Sequence, residues 1–129
     1  MNLFTKLKEM KILLIDDDEW IRDSLNLFFE SEGCHITVLE TAEEGMEELK
    51  ERAYDIIIAD YRLPGMDGLE FLKQIKESYP EAMKILITAY GSKELVSEAY
   101  RIGVRDFIEK PFTTNRIEES LSRLIAACE

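Results

Sequence analysis

The sequence predicts an α/β fold in which helices pack on both faces of a parallel sheet. From Lys11 onward, short apolar runs alternate five times with longer amphipathic stretches, a pattern typical of repeated βα units. Three of the apolar runs are continuous rather than alternating, which indicates strands covered by helices on both faces. The length of 129 residues favours a single core.

Five strands are expected in chain order, and the second, less apolar one is expected at an edge of the sheet. They are predicted at Ile12–Ile15, Ile36–Leu39, Ile56–Ala59, Ile85–Ile87 and Phe107–Ile108. Between and after them, apolar residues recur at helical spacing and predict five amphipathic helices. Two helices begin with the spacing of a capping box, Thr41 with Glu44 and Asp67 with Glu70, in which side chains bond free backbone amides.

The first ten residues, 1–10, are expected to form an extension ahead of a domain at 11–129. If this segment is helical, Leu3, Leu7 and Met10 lie on one face. We predict a frayed tail here, with a partner-binding helical turn as the alternative.

Composition describes an ordinary globular protein, with 46% hydrophobic and 33% charged residues. No apolar run approaches the roughly 18 residues of a membrane span, and no secretory signal is present, so we expect a cytoplasmic protein without membrane contact. The formal charge of −11 repels nucleic-acid phosphates and argues against direct nucleic-acid binding. Cys34, Cys128 and the single histidine, His35, lack zinc-type spacing, and both cysteines are expected to be reduced.

Polar side chains follow four of the predicted strands at the point where each strand ends. They are Asp16, Asp17, Asp18 and Glu19 after the first, Asp60 after the third, Thr88 after the fourth and Lys110 after the fifth. Ligands bind at the carboxyl edge of an open parallel sheet, so these are candidate site residues. Taken singly, each has an ordinary explanation as a helix cap, an Asx-turn or a solvated charge. Their convergence on one edge favours a functional site.

Several carboxylates at one sheet edge repel one another and need a compensating cation to remain ionised. Oxygen ligands without a thiolate or imidazole favour Mg²⁺, which typically lies between a carboxylate and a phosphoryl group. The predicted chemistry is therefore phosphoryl transfer. An aspartate can act as the nucleophile and form an aspartyl-phosphate, while an ammonium and a hydroxyl neutralise the phosphoryl oxygens.

Four motifs carry a resemblance to a known family. They are LLIDDDEW at the first strand, IIIADYRLPGMDG at the third, ILITAYG at the fourth and FIEKPF at the fifth. In their order and spacing they resemble the CheY-like receiver domain of two-component response regulators, over about Lys11 to Cys128. The resemblance implies a flavodoxin-like doubly wound sheet of five parallel strands, in the order 2-1-3-4-5, with five helices.

By this resemblance, Asp60 is the phosphoacceptor and takes a phosphoryl group from a sensor histidine kinase or a phosphotransfer protein. Asp16 and Asp17 correspond to the family's acidic pair. The Mg²⁺ site implied by the family comprises this pair, Asp60 and the backbone carbonyl of Arg62, with Asp17 a direct ligand. Asp18 is expected to be a helix-start charge instead.

The resemblance also implies that Thr88, Ala89 and Lys110 contact the phosphoryl group. The peptide bond between Lys110 and Pro111 is commonly cis in the family. Thr88 is expected to move toward the phosphoryl group, leaving space into which Phe107 turns, as a two-state switch. Phe107 is equally well explained as plain core.

Arg62 and Tyr90 stand two residues after the phosphoacceptor and the threonine, and both are large enough to overhang the site. We hypothesise that they control how readily water reaches the aspartyl-phosphate, and hence its lifetime. The family's usual output surface corresponds to residues 93–127, which makes a phosphorylation-favoured homodimer plausible. Its charges, among them Asp106 and Arg116, are expected to lie on a solvated face.

The resemblance describes a phosphorylation-controlled signalling domain, not a turnover enzyme, and an effector domain beyond residue 129 is compatible with it. Two other functions remain open. The Asp-x-Asp of Asp16 and Asp18 also resembles haloacid-dehalogenase-like phosphatases, in which Asp16 would carry the phosphoryl group, but Trp20 replaces the usual Thr or Val. The alternative is an interaction module that kept the fold and lost phosphorylation, against which the intact set of site residues argues.

Overall fold

A five-stranded parallel sheet forms the centre of the protein in a computed structural model that describes residues 2–128. Its spatial order is β2-β1-β3-β4-β5, as the family resemblance implies. The strands are β1 at Lys11–Ile15, β2 at His35–Leu39, β3 at Ile56–Asp60, β4 at Met83–Thr88 and β5 at Asp106–Glu109. The less apolar β2 lies at an edge, and its residues remain partly exposed.

Helices cover both faces of the sheet in the described part of the chain. They are α1 at Leu3–Leu7, α2 at Glu19–Ser31, α3 at Ala42–Glu51, α4 at Gly68–Ile75, α5 at Lys93–Arg101 and α6 at Thr114–Ala127. Two apolar layers result, one beneath α1, α2 and α6 and the other beneath α3, α4 and α5. Successive residues of β1 alternate between these layers, which explains why the strand is apolar throughout. No described helix combines the length and the apolar character needed to cross a membrane.

The prediction of a frayed amino-terminal tail is wrong, and α1 raises the helix number from the expected five to six within residues 2–128. Asn2 caps the helix by accepting a hydrogen bond from the Thr5 amide at 3.1 Å. Leu7 is fully buried in the core, and the ring of Phe4 meets that of Phe28 edge to face at 5.9 Å. A short helix is stable here because its apolar face finds a partner surface on α2 and α6.

Side-chain caps begin the helices that follow the strands, and so they fix where each loop ends. Asp18 accepts from the Trp20 amide at 2.9 Å, which confirms it as a helix-start residue. The predicted capping box of Thr41 and Glu44 is present. Asp67 accepts from the Glu70 amide at 2.8 Å, which confirms the cap that begins α4.

Candidate functional site

The carboxyl ends of four strands meet at one edge of the sheet and bring the predicted site residues to the same level. Ile15 of β1 lies beside Ala59 of β3, and Asp60 lies beside Ile87 of β4. The backbone amide of Lys110 donates to the carbonyl of Thr88 at 2.8 Å and so continues the pairing of β4 and β5. Each polar residue follows an apolar strand because the core ends where the sheet meets the loops.

Gly68 lets the first turn of α4 pass directly against the end of β3. Its amide donates to the carbonyl of Tyr61 at 2.8 Å, and a Cβ at this position would collide with the backbone carbonyl of Asp60. A close approach of this kind requires glycine. The backbone of Asp60 is therefore held between β4 on one side and the start of α4 on the other.

Three carboxylates form a compact acidic cluster with the donor set that Mg²⁺ prefers. Asp16, Asp17 and Asp60 each offer an oxygen, and these oxygens lie within 4.8 Å of one another. Asp16 is fully buried, and its Oδ2 receives no directed hydrogen bond from any residue between 2 and 128, even though Lys110 Nζ is 3.1 Å away. A buried oxygen without a hydrogen bond, in a set of oxygen ligands, fits a hard divalent cation.

Lys110 places its ammonium between two members of this cluster. Its Nζ lies 3.1 Å from Oδ2 of Asp16 and 3.2 Å from Oδ2 of Asp60. Burial alone would lower the pKa of Lys110, but the two carboxylates together outweigh it and raise the pKa above its ordinary value. The peptide bond from Lys110 to Pro111 is cis, as it commonly is in the family named above.

The two buried carboxylates hold their protons more tightly than exposed ones do. Burial raises the pKa of Asp60 to about 6, the charge of Asp16 adds to the effect, and Lys110 opposes it. Burial also raises the pKa of Asp16, against the hydrogen bond from the Asp18 amide and the attraction of Lys110. A single ammonium therefore leaves the cluster with uncompensated negative charge, the condition under which a divalent cation is expected to bind.

Thr88 ends β4 as a fully buried residue whose hydroxyl already has a partner. Its Oγ1 accepts a hydrogen bond from the Tyr90 amide at 3.1 Å, and this bond shapes the loop that follows. Ala89 is exposed and, together with Lys110, lines a neighbouring groove.

Arg62 and Tyr90, which lie in the loops after β3 and β4, contact each other. The guanidinium carbon of Arg62 lies 4.6 Å from the ring centroid of Tyr90, within the range of a cation–π contact. The sequence singled out both residues, but it carried no signal for their mutual contact. Their stacking joins the loop after β3 to the loop after β4.

Phe107 is half-buried and packs against the apolar layer beneath α5. A Cβ at Gly91 would lie 3.0 Å from Cε1 of the Phe107 ring, so the ring fits closely against the loop after β4. Both of its predicted roles, switch and core, are compatible with this position.

Asp106 corrects the expectation of a solvated charge. It is only 3% exposed, and its carboxylate pairs with Arg116 at 3.2 Å and Arg123 at 2.8 Å. Burial would raise the pKa of Asp106, but hydrogen bonds from Arg116 and neighbouring groups outweigh it and lower the pKa. Three charges of the expected output surface therefore fasten β5 to α6 within this chain.

Two further residues at the site were not singled out by sequence. Glu43 of α3 accepts the Met66 amide at 3.0 Å, and this hydrogen bond lowers the pKa of Glu43 while holding the loop after β3. Trp20 is 79% exposed and lines an apolar groove of about 430 Å³ between the start of α2 and the loop after β5. A tryptophan directly after four acidic residues was the signal in the sequence that could have pointed to this groove.

The fold and the site define a class of signalling domain, and comparison with known proteins agrees. The chain belongs to the response regulator receiver domain family, whose model matches residues 12–122. It is thus a receiver domain of a two-component response regulator.

Its relatives include transcriptional regulators that are longer than this chain. It is 34% identical over 118 residues to the transcriptional regulatory protein FixJ of Bradyrhizobium diazoefficiens, a match that covers 92% of this chain and 58% of FixJ. It is also 34% identical over 115 residues to the DNA-binding transcriptional regulator NtrC of Escherichia coli K12, covering 89% of this chain and 24% of NtrC. The chain therefore spans less than two thirds of these relatives.

Solved receiver domains superpose closely on this fold. The beryllofluoride-activated NtrC4 receiver domain dimer is 34% identical, with a TM-score of 0.82 and coverage of 88% of this chain and 93% of that one. A chain of the CheX–CheY–BeF3–Mg²⁺ complex from Borrelia burgdorferi is also similar, with a TM-score of 0.83, 28% identity and coverage of 90% of this chain and 89% of that one.

Proposed function

We propose that Asp60 accepts a phosphoryl group from the phosphohistidine of a sensor kinase or phosphotransfer protein in a Mg²⁺-dependent reaction. The observation that carries the proposal is the cluster of Asp16, Asp17 and Asp60, with oxygens within 4.8 Å, beside the ammonium of Lys110. Family membership supports the same assignment. The proposed output is a change in the surface formed by residues 93–127.

The transfer requires an ionised Asp60 whose oxygen attacks the phosphorus of the donor. A phosphorus–oxygen bond forms as the phosphorus–nitrogen bond breaks, and the imidazole leaves with the bonding electron pair and takes up a proton. Asp16, Asp17, Asp60 and the carbonyl of Arg62 are the groups we assign to hold Mg²⁺. When bound, the metal supplies positive charge against the phosphoryl oxygens.

Residues around Asp60 are assigned roles that match their chemistry. Lys110, already a cation with a raised pKa, would exchange its pairing with a carboxylate for one with a phosphoryl oxygen. Thr88 and the exposed Ala89 would contact the other side of the group. Thr88 Oγ1 accepts from the Tyr90 amide at 3.1 Å, which leaves its O–H free to donate to a phosphoryl oxygen. A movement of Thr88 toward the group would therefore shift the loop after β4 through this hydrogen bond.

The groove lined by Trp20, Ala89 and Lys110 adjoins the acidic cluster through Lys110, whose Nζ lies 3.2 Å from Oδ2 of Asp60. Its apolar walls suit contact with a protein surface better than with a free small phosphodonor. We therefore assign this groove to the protein that carries the phosphohistidine. Substitution of the exposed Trp20 is expected to slow transfer from that protein and to leave modification by a small phosphodonor unchanged.

The switch proposal joins Thr88 to Phe107 through the loop at Gly91. The Phe107 ring fits closely against Gly91, so movement of the loop toward a phosphoryl group would open space for the ring to turn inward. A homodimer through residues 93–127 is the proposed readout, and the solved dimer of the NtrC4 receiver supports it. Because Asp106 pairs internally, that dimer would use other charges of this surface.

We propose that the domain signals and does not turn over a substrate. Direct nucleic-acid contact by this segment is not expected, because its formal charge is −11. The cytoplasmic location expected from the sequence stays a prediction.

Phosphoramidate and MgCl₂ test the phosphoacceptor assignment. Intact-mass spectrometry should show one phosphoryl group on the wild type and none on Asp60→Asn, while Asp23→Asn on the exposed side of α2 serves as the matched control. Peptide mapping that places the label on Asp16 would support the phosphatase alternative and overturn the proposal. Absence of any change on adding beryllofluoride with Mg²⁺ would favour the interaction module that has lost phosphorylation.

Arg62 and Tyr90 are proposed to shield the aspartyl-phosphate from water through their stacking. Replacing both by alanine should shorten the lifetime of the phosphorylated domain, measured by loss of the phosphoryl mass after donor removal. Arg101→Ala, which removes an exposed arginine of α5, is the control. An unchanged lifetime in the double variant would end this assignment.

A further inference from the structure

The acidic turn at the end of β1 is held at both ends, while the residue between them has no hydrogen-bond partner of its own among residues 2–128. The amide of Asp16 donates to the carbonyl of Leu39 at 3.0 Å, and Oδ1 of Asp16 accepts the Asp18 amide at 2.9 Å. Asp17, between them, is exposed, and no described residue bonds its carboxylate. The direction in which Asp17 points is therefore set by the backbone on either side of it.

Arg22 holds the backbone carbonyl that directly precedes Asp17 in this turn. Its Nη1 donates to the carbonyl oxygen of Asp16 at 2.8 Å. That oxygen belongs to the planar peptide group that also contains the amide nitrogen of Asp17. Fixing the carbonyl thus fixes the plane from which the Asp17 side chain departs.

The geometry separates this role from an ordinary surface ion pair. The second guanidinium contact of Arg22 is to Glu40, at 3.7 Å, and the Glu40 side chain is 65% exposed whereas that of Arg22 is only 14% exposed. Exposed pairs at such distances contribute little. The short hydrogen bond to Asp16 is instead made by a largely buried side chain. Arg22 lies one helical turn after the cap residue Asp18, and its backbone amide donates to the Asp18 carbonyl at 3.1 Å.

We propose that Arg22 is a positioning residue for Mg²⁺, which orients the peptide between Asp16 and Asp17 so that the Asp17 carboxylate faces Asp60. This inference rests on the proposed function, since it assumes that Mg²⁺ binds the acidic cluster. Groups that orient metal ligands typically change metal affinity by ten- to a hundredfold when removed. The guanidinium bonds a carbonyl and no described carboxylate of the cluster, so it adds orientation without occupying a ligand oxygen.

The sign of the effect distinguishes positioning from plain electrostatics. A cation close to the cluster repels Mg²⁺. If Arg22 acted only through its charge, a variant with a neutral residue at this position would therefore bind Mg²⁺ more tightly than the wild type. If Arg22 positions the metal ligand, the same variant would bind Mg²⁺ more weakly than the wild type. A role confined to fold stability would lower the unfolding free energy and leave the Mg²⁺ affinity of the folded protein unchanged.

Titration of MgCl₂ into wild type, Arg22→Met, Arg22→Gln and the control Glu40→Gln tests the proposal. The dissociation constant is read from the Asp17 amide signal in ¹H–¹⁵N correlation spectra, which also report folding. We expect both Arg22 variants to bind Mg²⁺ about tenfold more weakly, with a shifted Asp17 amide before metal is added, and Glu40→Gln to match the wild type.

The outcomes separate the role of Arg22 from Mg²⁺ binding by the acidic cluster itself. Unchanged or tighter binding in whichever Arg22 variant remains folded would overturn the positioning role and leave the proposed function intact. If MgCl₂ does not change the Asp17 amide signal of the wild type, the proposed function is overturned, and the role of Arg22 with it.

Discussion

Replacing Asp60 by asparagine is expected to stabilise the domain at neutral pH when no divalent cation is present. The Asp60 carboxyl is 4% exposed, and burial with the charge of Asp16 raises its pKa from 3.8 to about 6. The folded protein therefore binds this proton more tightly than the unfolded chain does. Stability contributed by the proton is complete below the ordinary pKa and is lost as the pH rises through about 6.

The size of the effect follows from that shift. A change of one pKa unit corresponds to about 1.4 kcal/mol, so a carboxyl shifted from 3.8 to about 6 costs the folded state about 3 kcal/mol once it is ionised. Asparagine has nearly the same shape and no charge, and it avoids this cost. With these pKa values, the gain in unfolding free energy should grow by about 2 kcal/mol between pH 4.5 and pH 7.5.

Urea denaturation of wild type and Asp60→Asn across this pH range, with a metal chelator present, measures the gain. Asp23→Asn, an exposed aspartate of α2, should show no pH-dependent difference from the wild type. Added MgCl₂ should stabilise the wild type more than Asp60→Asn and so reduce the difference in unfolding free energy between them. An Asp60→Asn variant that is no more stable than the wild type at pH 7.5 without metal would refute the reasoning.

Three further substitutions test the site and the core. Lys110→Gln removes both ion pairs of the acidic cluster and should lower the unfolding free energy at pH 7.5 by about 2 kcal/mol in urea, with partial recovery in MgCl₂. Leu7→Ala should cost about 3 kcal/mol in the same assay, because Leu7 is fully buried, whereas the exposed Thr5→Ala should cost under about 0.5 kcal/mol; equal effects would contradict the docking of α1. Gly68→Ala places a Cβ against the Asp60 carbonyl, so it should cost about 2 kcal/mol and reduce phosphoramidate labelling; unimpaired labelling would show that the loop adapts.

The sheet and the acidic cluster could be predicted because their signals are local in the sequence. Continuous apolar runs mark strands buried on both faces, and the polar residue that ends each run marks the site edge. Asp16, Asp60, Thr88 and Lys110 were all placed in this way, and the structure brings them to one edge. The strand order came from the family resemblance, because apolar periodicity does not specify which strands are neighbours.

Contacts between different helices, strands and loops could not be predicted in the same way. Arg22 and Glu43 both bind backbone groups, and a backbone carbonyl or amide looks the same in every sequence. Asp106 resembles any solvated charge until the fold places Arg116 and Arg123 beside it. These residues are recognised only when the three-dimensional partner is known.

The amino-terminal helix was missed for a related reason. Five residues are too few to be helical alone, so the spacing of Leu3 and Leu7 was a weak signal. The helix forms because α2 and α6 supply an apolar surface, with Phe28 against Phe4, and such a surface exists only in the folded domain. The same spacing on an unfolded segment would specify no structure.

Gly68 limits the directions in which the domain can respond to a charge added at Asp60. The backbone of α4 lies against the Asp60 carbonyl, so β3 cannot recede without displacing a whole helix. On the opposite side, residues 89–92 are all exposed, and no helix packs against the end of β4 as α4 packs against β3 in the described chain. A structural change caused by a phosphoryl group would therefore displace Thr88 and the elements next to it, β5 and α5. The surface of α4 would change little.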